Sequence, residues 1–294
     1  MRNNRIFLLL FLPLFLFGGC VKPEARNENA DVAPDVHVRT ETVALTGEDF
    51  LAELYFLGDS TTAHMATRAK RLDPAHVLAA KNRYLNLDPK ITAAKIVNPE
   101  TGEEETIAAV LRQIQPKYLL ITLGVDYGVY YYRNAPESFR RCYEKLLDAV
   151  REACPDTRVI AGAIFPVGQN SPVITNEMVD CANEIIRTLA AERGIPFADN
   201  NTILKDETGY LAQKYVYSED GIHLNAAAYE VILNHLAELA PELGGENEEK
   251  TVAGGTGVLP VAFCLRPKSG GRQRCGACRA PERKSVCNGH AVAG

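Results

Sequence analysis

Two segments of the chain carry side chains that together could transfer an acyl group. Ser60 follows a short apolar run and a glycine, while Asp220 precedes His223 by three residues near the other end of the folded region. A serine hydroxyl needs a base to become a nucleophile, and a histidine base needs an acceptor that fixes its tautomer. Each segment alone is more often a helix cap. In combination they predict Ser60 as nucleophile, His223 as general base and Asp220 as the residue that orients His223.

The elements that must position these residues alternate along the chain. Four apolar runs are typical of buried parallel strands, and four longer segments show helical spacing. The predicted strands are 54–57, 118–123, 158–165 and 195–198, and the predicted helices are 106–115, 136–154, 175–193 and 225–239. This order predicts an α/β fold, a parallel sheet between two helix layers, in one domain over residues 48–244. Ser60 then lies at the carboxyl edge of the first strand, where ligands of such sheets gather.

Four motifs in this arrangement resemble the SGNH/GDSL hydrolase family, and the resemblance covers residues 54–240. They are Phe56-Leu57-Gly58-Asp59-Ser60, Ile121-Thr122-Leu123-Gly124-Val125-Asp126, Ile164-Phe165-Pro166-Val167 and Asp220-Gly221-Ile222-His223-Leu224. The resemblance implies a flavodoxin-like three-layer α/β/α sandwich and ester hydrolysis with no metal and no other cofactor. It implies the same roles for Ser60, His223 and Asp220, and it adds the Ser60 backbone N–H to the oxyanion hole.

The chain departs from the family pattern at the oxyanion hole. The family has Gly-x-Asn after its third strand, where this chain has Gly124 and then Asp126, so these two become the candidate oxyanion or substrate residues. An ionised carboxylate accepts hydrogen bonds but cannot donate them, and it repels the developing negative charge. Asp126 could help only if it were protonated. No glycine occurs from 59 to 101 to supply the usual second donor, so another backbone N–H, near Thr92–Lys95, must replace it.

The N-terminal region is typical of an exported protein. Residues 1–19 combine two arginines with an apolar run, which predicts a secretory signal. The sequence Leu16-Phe17-Gly18-Gly19-Cys20 resembles a bacterial lipobox, so Cys20 is predicted to be lipidated; an ordinary cleaved signal peptide is the alternative. We therefore expect a protein anchored by lipid to the outer face of the cell membrane, with residues 20–47 as a flexible tether.

The C-terminal region 245–294 is predicted to be a disordered, low-complexity tail with four cysteines. Cys275 and Cys278 are spaced like zinc ligands, but only one such pair is present, so no metal site is predicted. A disulfide-bridged tail and a misannotated end are the alternatives.

The net charge of the chain indicates which classes of molecule it can bind. The net charge of the whole chain is −5, but residues 20–244 contain 22 Lys+Arg and 33 Asp+Glu, a net charge of −11. This argues against a nucleic-acid binder, which must neutralise phosphates. It also favours neutral acylated glycans over acidic polymers as substrates.

The leading functional prediction is a cell-surface serine esterase that hydrolyses short acyl esters, O-acetyl groups above all, on carbohydrate. One alternative is a catalytically impaired lipoprotein that binds glycan in the same cleft, and another is a lipase or thioesterase of the same fold.

His64, one helical turn after Ser60, is predicted to lie on the surface. The tyrosines that follow the third strand either stack on a sugar or pack their loop onto the body; they are Tyr127, Tyr130, Tyr131 and Tyr132.

Overall fold

The computed structural model describes residues 39–43, 45–245 and 248–252, with side chains for residues 45–245. The strands are β1 Arg39–Val43, β2 Leu54–Gly58, β3 Val77–Leu78, β4 Lys95–Val97, β5 Glu104–Thr106, β6 Tyr118–Thr122, β7 Arg158–Gly162, β8 Phe197–Ala198 and β9 Glu248–Val252. Five of them form the central sheet in the order β3-β2-β6-β7-β8, and every neighbouring pair is parallel. The strands β4 and β5 form a separate antiparallel pair.

Helices cover both faces of the central sheet. They are α1 Gly47–Ala52, α2 Ser60–Ala63, α3 Met65–Arg68, α4 Ile107–Ile114, α5 Pro136–Ala153, α6 Asn176–Arg193, α7 Ala226–Glu238 and α8 Ala240–Leu243. Successive residues of β6 point to opposite faces, as the strand geometry requires. Leu119 and Ile121 pack with α4, α5 and α6, while Tyr118 and Leu120 pack with α1, α7 and α8. The predicted three-layer α/β/α fold is confirmed.

The predicted elements recur with small shifts at their ends. The largest difference is at β7, which ends at Gly162 instead of residue 165. The strands β3, β4 and β5 were not predicted, because two or three residues are too short to show a period. The antiparallel pair β1 and β9 joins backbone from the segments predicted as the tether and the tail. No helix among the described residues is long and apolar enough to cross a membrane.

Asparagine side chains replace a strand neighbour beyond the end of β7. Asn183 accepts a hydrogen bond from the Ile164 N–H at 2.8 Å and donates to the Ile164 carbonyl at 3.0 Å. Asn176 binds both backbone groups of Val167 in the same way, at 2.9 and 2.8 Å. The backbone after β7 would otherwise bury unpaired polar groups, which is costly. These amides therefore hold the segment that passes beside the site.

Asn183→Ala is expected to lower the free energy of unfolding by roughly 1–3 kcal/mol, because it leaves both backbone groups of Ile164 with fewer partners in a buried place. Urea denaturation of the purified protein measures this change. Asn134→Ala, at an exposed loop position, is the matched control and should change stability by less than about 0.5 kcal/mol. Equal effects of the two substitutions would show that the amide does not hold the strand extension.

Candidate active site

Ser60 stands at the carboxyl edge of β2, where the strand turns directly into α2. Asp59 caps this helix by accepting from the Thr61 N–H, and Ser60 itself is 3% exposed. Gly58 is required at the turn, because a Cβ there would lie 2.1 Å from Thr62 Oγ1 and 2.2 Å from the Thr122 carbonyl oxygen. The strand end, the cap and the glycine together fix the position of the serine hydroxyl.

His223 and Asp220 come from the loop before α7 and meet Ser60 across the edge of the sheet. His223 Nε2 lies 3.1 Å from Ser60 Oγ, and His223 Nδ1 lies 2.6 Å from Asp220 Oδ2. Asp220 Oδ1 accepts from the N–H groups of Ile222 and His223 at 2.8 and 3.1 Å, which fixes the carboxylate. The three side chains predicted from the sequence are thus within hydrogen-bonding distance in the order that nucleophile activation needs.

The charge of Asp220 suits this arrangement. Partial burial alone would raise the pKa of Asp220, but hydrogen bonds from the His223 ring and from the Ile222 and His223 N–H groups outweigh it and lower the pKa below its ordinary value. The carboxylate therefore stays ionised at neutral pH. An ionised Asp220 keeps the proton of His223 on Nδ1 and leaves Nε2 free to take the proton of Ser60.

Asp126 also contacts Ser60. Its Oδ2 accepts from the Ser60 N–H at 2.9 Å, and its Oδ1 accepts from Ser60 Oγ at 2.6 Å. Burial raises the pKa of Asp126 above its ordinary value, although the hydrogen bonds from the hydroxyl and N–H of Ser60 act in the opposite direction. The candidate oxyanion residue thus lies at the nucleophile, but as an acceptor.

The second backbone donor at this place is the N–H of Leu85, which also faces the Asp126 carboxylate. Leu85 is buried in the connection between β3 and β4. The expectation of a donor near Thr92–Lys95 stays a prediction, because the Leu85 N–H faces a carboxylate here and not an oxyanion. No signal in the sequence marks Leu85, because its N–H reaches the site through the path of a loop and not through its side chain.

Gly124 has a different place from the one predicted for it. Its N–H and that of Val125 donate to Asp59 Oδ2 at 2.9 and 2.8 Å, so the Gly124 N–H is directed to Asp59 and not to the position beside Ser60. Gly124 has φ of +143°, which favours glycine. Burial, and then the charge of Asp126, raises the pKa of Asp59 to about 6. Asp59 therefore ties the turn that carries Ser60 to the loop that carries Asp126.

His64 is not the surface residue that the sequence predicted. It is half-buried, with its ring edge-on to the His223 ring at a centroid distance of 4.7 Å, and Arg83 Nη1 lies 3.3 Å from its Nε2. Burial, followed by the charge of Arg68, lowers the pKa of His64 to about 4. His64 is thus a neutral ring that packs against the candidate base, and its contact is with the His223 ring and not with the Ser60 hydroxyl.

The tyrosine loop after β6 mainly packs on itself. The rings of Tyr127 and Tyr131 stack with centroids 3.9 Å apart, and the Tyr132 hydroxyl lies 3.6 Å from Cys142 Sγ. These contacts favour the packing alternative, although Tyr131 remains 57% exposed. Among residues with described side chains, no group of three or more His, Cys, Asp or Glu residues could hold a metal ion. Cys20 and the tail cysteines lie outside the described residues.

Comparisons with known proteins identify the family to which the chain belongs. Similar solved structures include family 3 carbohydrate esterases from Talaromyces cellulolyticus (16% identity, TM-score 0.45, covering 65% of this chain and 97% of that one) and Clostridium thermocellum (13%, 0.44, 65% and 96%). A third is a GDSL-like lipase from Bacteroides thetaiotaomicron (12%, 0.39, 64% and 87%). None of the curated proteins compared with the chain matches it. The family model described as GDSL-like lipase/acylhydrolase matches residues 56–231, more than half of the chain. The chain therefore belongs to the GDSL-like lipase/acylhydrolase family and is a hydrolase of ester bonds.

Proposed function

We propose that this hydrolase is a serine esterase that removes short acyl groups, above all O-acetyl groups, from carbohydrate at the outer face of the cell membrane. The observation that carries the proposal is the continuous contact from Asp220 through His223 to Ser60, with distances of 2.6 and 3.1 Å. No other group of described side chains joins a hydroxyl, an imidazole and a carboxylate at the open edge of the sheet.

The proposed reaction follows from the order of contacts in this group. Ser60 Oγ attacks the ester carbonyl, and its proton passes to His223 Nε2 while Asp220 stabilises the resulting imidazolium. His223 then returns the proton to the departing sugar hydroxyl, which leaves an acyl group on Ser60. A water molecule gives a proton to His223 and attacks the acyl group, and His223 returns that proton to Ser60 Oγ as the acid leaves. The negative oxygen formed in each half needs donors, and we assign this role to the N–H groups of Ser60 and Leu85, which face Asp126.

We place the leaving group in a cavity whose lining includes Leu85. It has a volume of about 680 Å³ and lies along residues 80–95, within the usual size range of ligand pockets. The cavity lining is rich in polar side chains. It includes Leu85, whose backbone N–H faces Asp126 in the active site. Lysine and asparagine side chains suit sugar hydroxyls better than a long acyl chain; they are Lys81, Asn82, Asn86, Lys90 and Lys95. The proposed sugar would lie here, with the short acyl group at Ser60.

Tyr84→Ala tests this placement. Tyr84 lines the cavity and is 64% exposed, so its ring is accessible to a sugar face. Losing such a contact should raise KM for an acetylated oligosaccharide roughly 2- to 10-fold, with little change in kcat for a small aryl acetate. Steady-state kinetics with both substrates measures the difference. Tyr131→Ala is the control, because that exposed ring already stacks on Tyr127; the same KM change in both variants would contradict the placement.

Rates across an ester series test the substrate class. The purified protein is given aryl esters from acetate to octanoate, and acetate release from acetylated xylan is measured beside them. We expect the aryl rate to fall as the acyl chain lengthens, and acetate to be released from the polysaccharide. A preference for octanoate would favour a lipase instead.

The runner-up function is glycan binding by an impaired enzyme, and the contact of Asp126 with Ser60 is the observation that favours it. Binding of acetylated xylan oligosaccharides without acetate release at any pH would establish this alternative.

We further propose that Cys20 carries the lipid anchor, because the lipobox-like sequence precedes it. Partition of the expressed protein into a detergent phase, lost in Cys20→Ser, is the expected result. A detergent-phase fraction unchanged by Cys20→Ser would contradict this anchor.

A further inference from the structure

The Asp126 carboxylate is surrounded by the groups that an ester intermediate would need. It accepts from the Ser60 N–H at 2.9 Å, from the Ser60 hydroxyl at 2.6 Å, and from the N–H of Leu85. An oxyanion hole is defined by backbone donors about 2.7–3.1 Å from the place where the negative oxygen forms. The side chain thus occupies the site with a charge and shape that match a carboxylate product such as acetate.

The contact with Asp126 determines which group can receive the proton of the Ser60 hydroxyl. A hydroxyl has one proton to donate, and the oxygen–oxygen distance of 2.6 Å is typical of a charge-assisted bond to an ionised carboxylate. If Ser60 donates to Asp126, it cannot also donate to His223 Nε2. A neutral His223 then has no serine proton to accept, and a protonated His223 cannot accept another one.

Protonation of Asp126 changes the group to which the Ser60 hydroxyl donates. A neutral carboxyl group can donate from Oδ1 to Ser60 Oγ, which leaves the Ser60 hydroxyl free to donate to His223 Nε2. A neutral group also binds the N–H donors of Ser60 and Leu85 less strongly than a charged one, so a substrate carbonyl can displace it more easily. Catalysis then proceeds with the same proton transfer from Ser60 to His223.

We infer that Asp126 is a built-in inhibitor of this esterase, which occupies the oxyanion position when ionised and releases the nucleophile when protonated. The inference rests on the proposed serine esterase function. It predicts that the active fraction rises as Asp126 takes up a proton, for as long as His223 stays neutral.

The charged groups around Asp126 shift its pKa in both directions. Asp59, which precedes Ser60 in the chain, favours the protonated form by charge repulsion, whereas His223 favours the ionised form when it carries charge. His64 contacts the His223 ring, and Arg83 lies beside His64. Because burial raises the pKa of Asp126, its protonated fraction persists to higher pH than that of an exposed aspartate. Above that pKa the protonated fraction of Asp126 falls about tenfold for each pH unit.

The test compares Asp126→Asn with the full-length parent on an aryl acetate from pH 4 to 9. The introduced amide has the size of the carboxyl group, carries no charge and can donate to the oxyanion. We expect kcat/KM at pH 8 to rise about 10²–10³-fold, and the ratio of variant to parent to shrink as the pH falls. Asp156→Asn, an exposed change at the opposite edge of the sheet, is the matched control and should leave the profile unchanged.

Added acetate gives a second readout. Acetate should inhibit Asp126→Asn competitively, because the donors of Ser60 and Leu85 are then free for a carboxylate. It should not inhibit the parent at pH 8, where Asp126 already occupies them.

The outcomes separate the two claims. A parent that is active and an Asp126→Asn variant that is equal or slower at every pH would overturn the inference and leave the esterase intact. A variant-to-parent ratio independent of pH would also overturn it. If both proteins and the Ser60→Ala variant are equally inactive on every ester, the proposed function itself fails.

Discussion

Ser60→Ala is expected to reduce ester hydrolysis by at least about 10³-fold, to the level of the blank reaction. The substitution removes the Oγ atom that lies 3.1 Å from His223 Nε2, and no other hydroxyl is described at that distance from the ring. The backbone N–H that donates to Asp126 Oδ2 is retained, so the turn between β2 and α2 should keep its shape. Initial rates with an aryl acetate, at the pH where the parent is fastest, measure the loss.

A serine-directed fluorophosphonate provides an independent readout, because it labels the nucleophile without turnover. The parent should gain one label on the peptide that contains Ser60, and Ser60→Ala should gain none there. Ser138→Ala, on the outer helix α5, is the matched control and should keep both activity and label. Hydrolysis by Ser60→Ala at the parental rate would show that a different group performs the chemistry.

Asp220→Asn is expected to reduce kcat by up to about 10⁴-fold with little change in KM. An asparagine in this place keeps its oxygen for the N–H groups of Ile222 and His223, so the loop remains held. Its NH₂ group would then face His223 Nδ1 and donate to it, which moves the ring proton to Nε2. A ring protonated at Nε2 donates to Ser60 Oγ and cannot act as its base.

The lowered pKa of Asp220 is consistent with its role in orienting His223. The pKa of Asp220 lies below its ordinary value, so the interaction is fully present near neutral pH and is lost only as the pH falls through that lowered pKa. Glu219→Gln, the exposed neighbour, removes a charge from the same loop and should change kcat by less than about twofold. Equal losses in the two variants would indicate a general charge effect and not a tautomer effect.

Most of the central fold could be predicted because its elements are long and buried. The helices α5 and α6 have 18 residues each, and their apolar stripes match the sheet that they cover. The positions of Ser60, Asp220 and His223 could be predicted as well, because each lies next to an element end that the apolar pattern defines. The parallel sheet then brings distant parts of the chain to one edge.

The rest of the site depends on loop paths, which carry no period in the sequence. The residue type at 126 could be read directly, but its contact with Ser60 Oγ could not, because that depends on how the loop after β6 turns. The N–H of Leu85 is a backbone group in a long connection, and any residue type except proline could supply it. His64 was placed on the surface because one helical turn alone does not reveal the loop that covers it.

The hydrogen bonds of Asp59 also have a consequence for motion. Two amides of the loop after β6, those of Gly124 and Val125, donate to a carboxylate that is itself buried at the turn before Ser60. Such amides exchange their hydrogens only when the turn and the loop separate. The nucleophile and Asp126 should therefore fluctuate as one unit. The expected observation is slow hydrogen exchange at the Gly124 and Val125 amides, with one common opening rate.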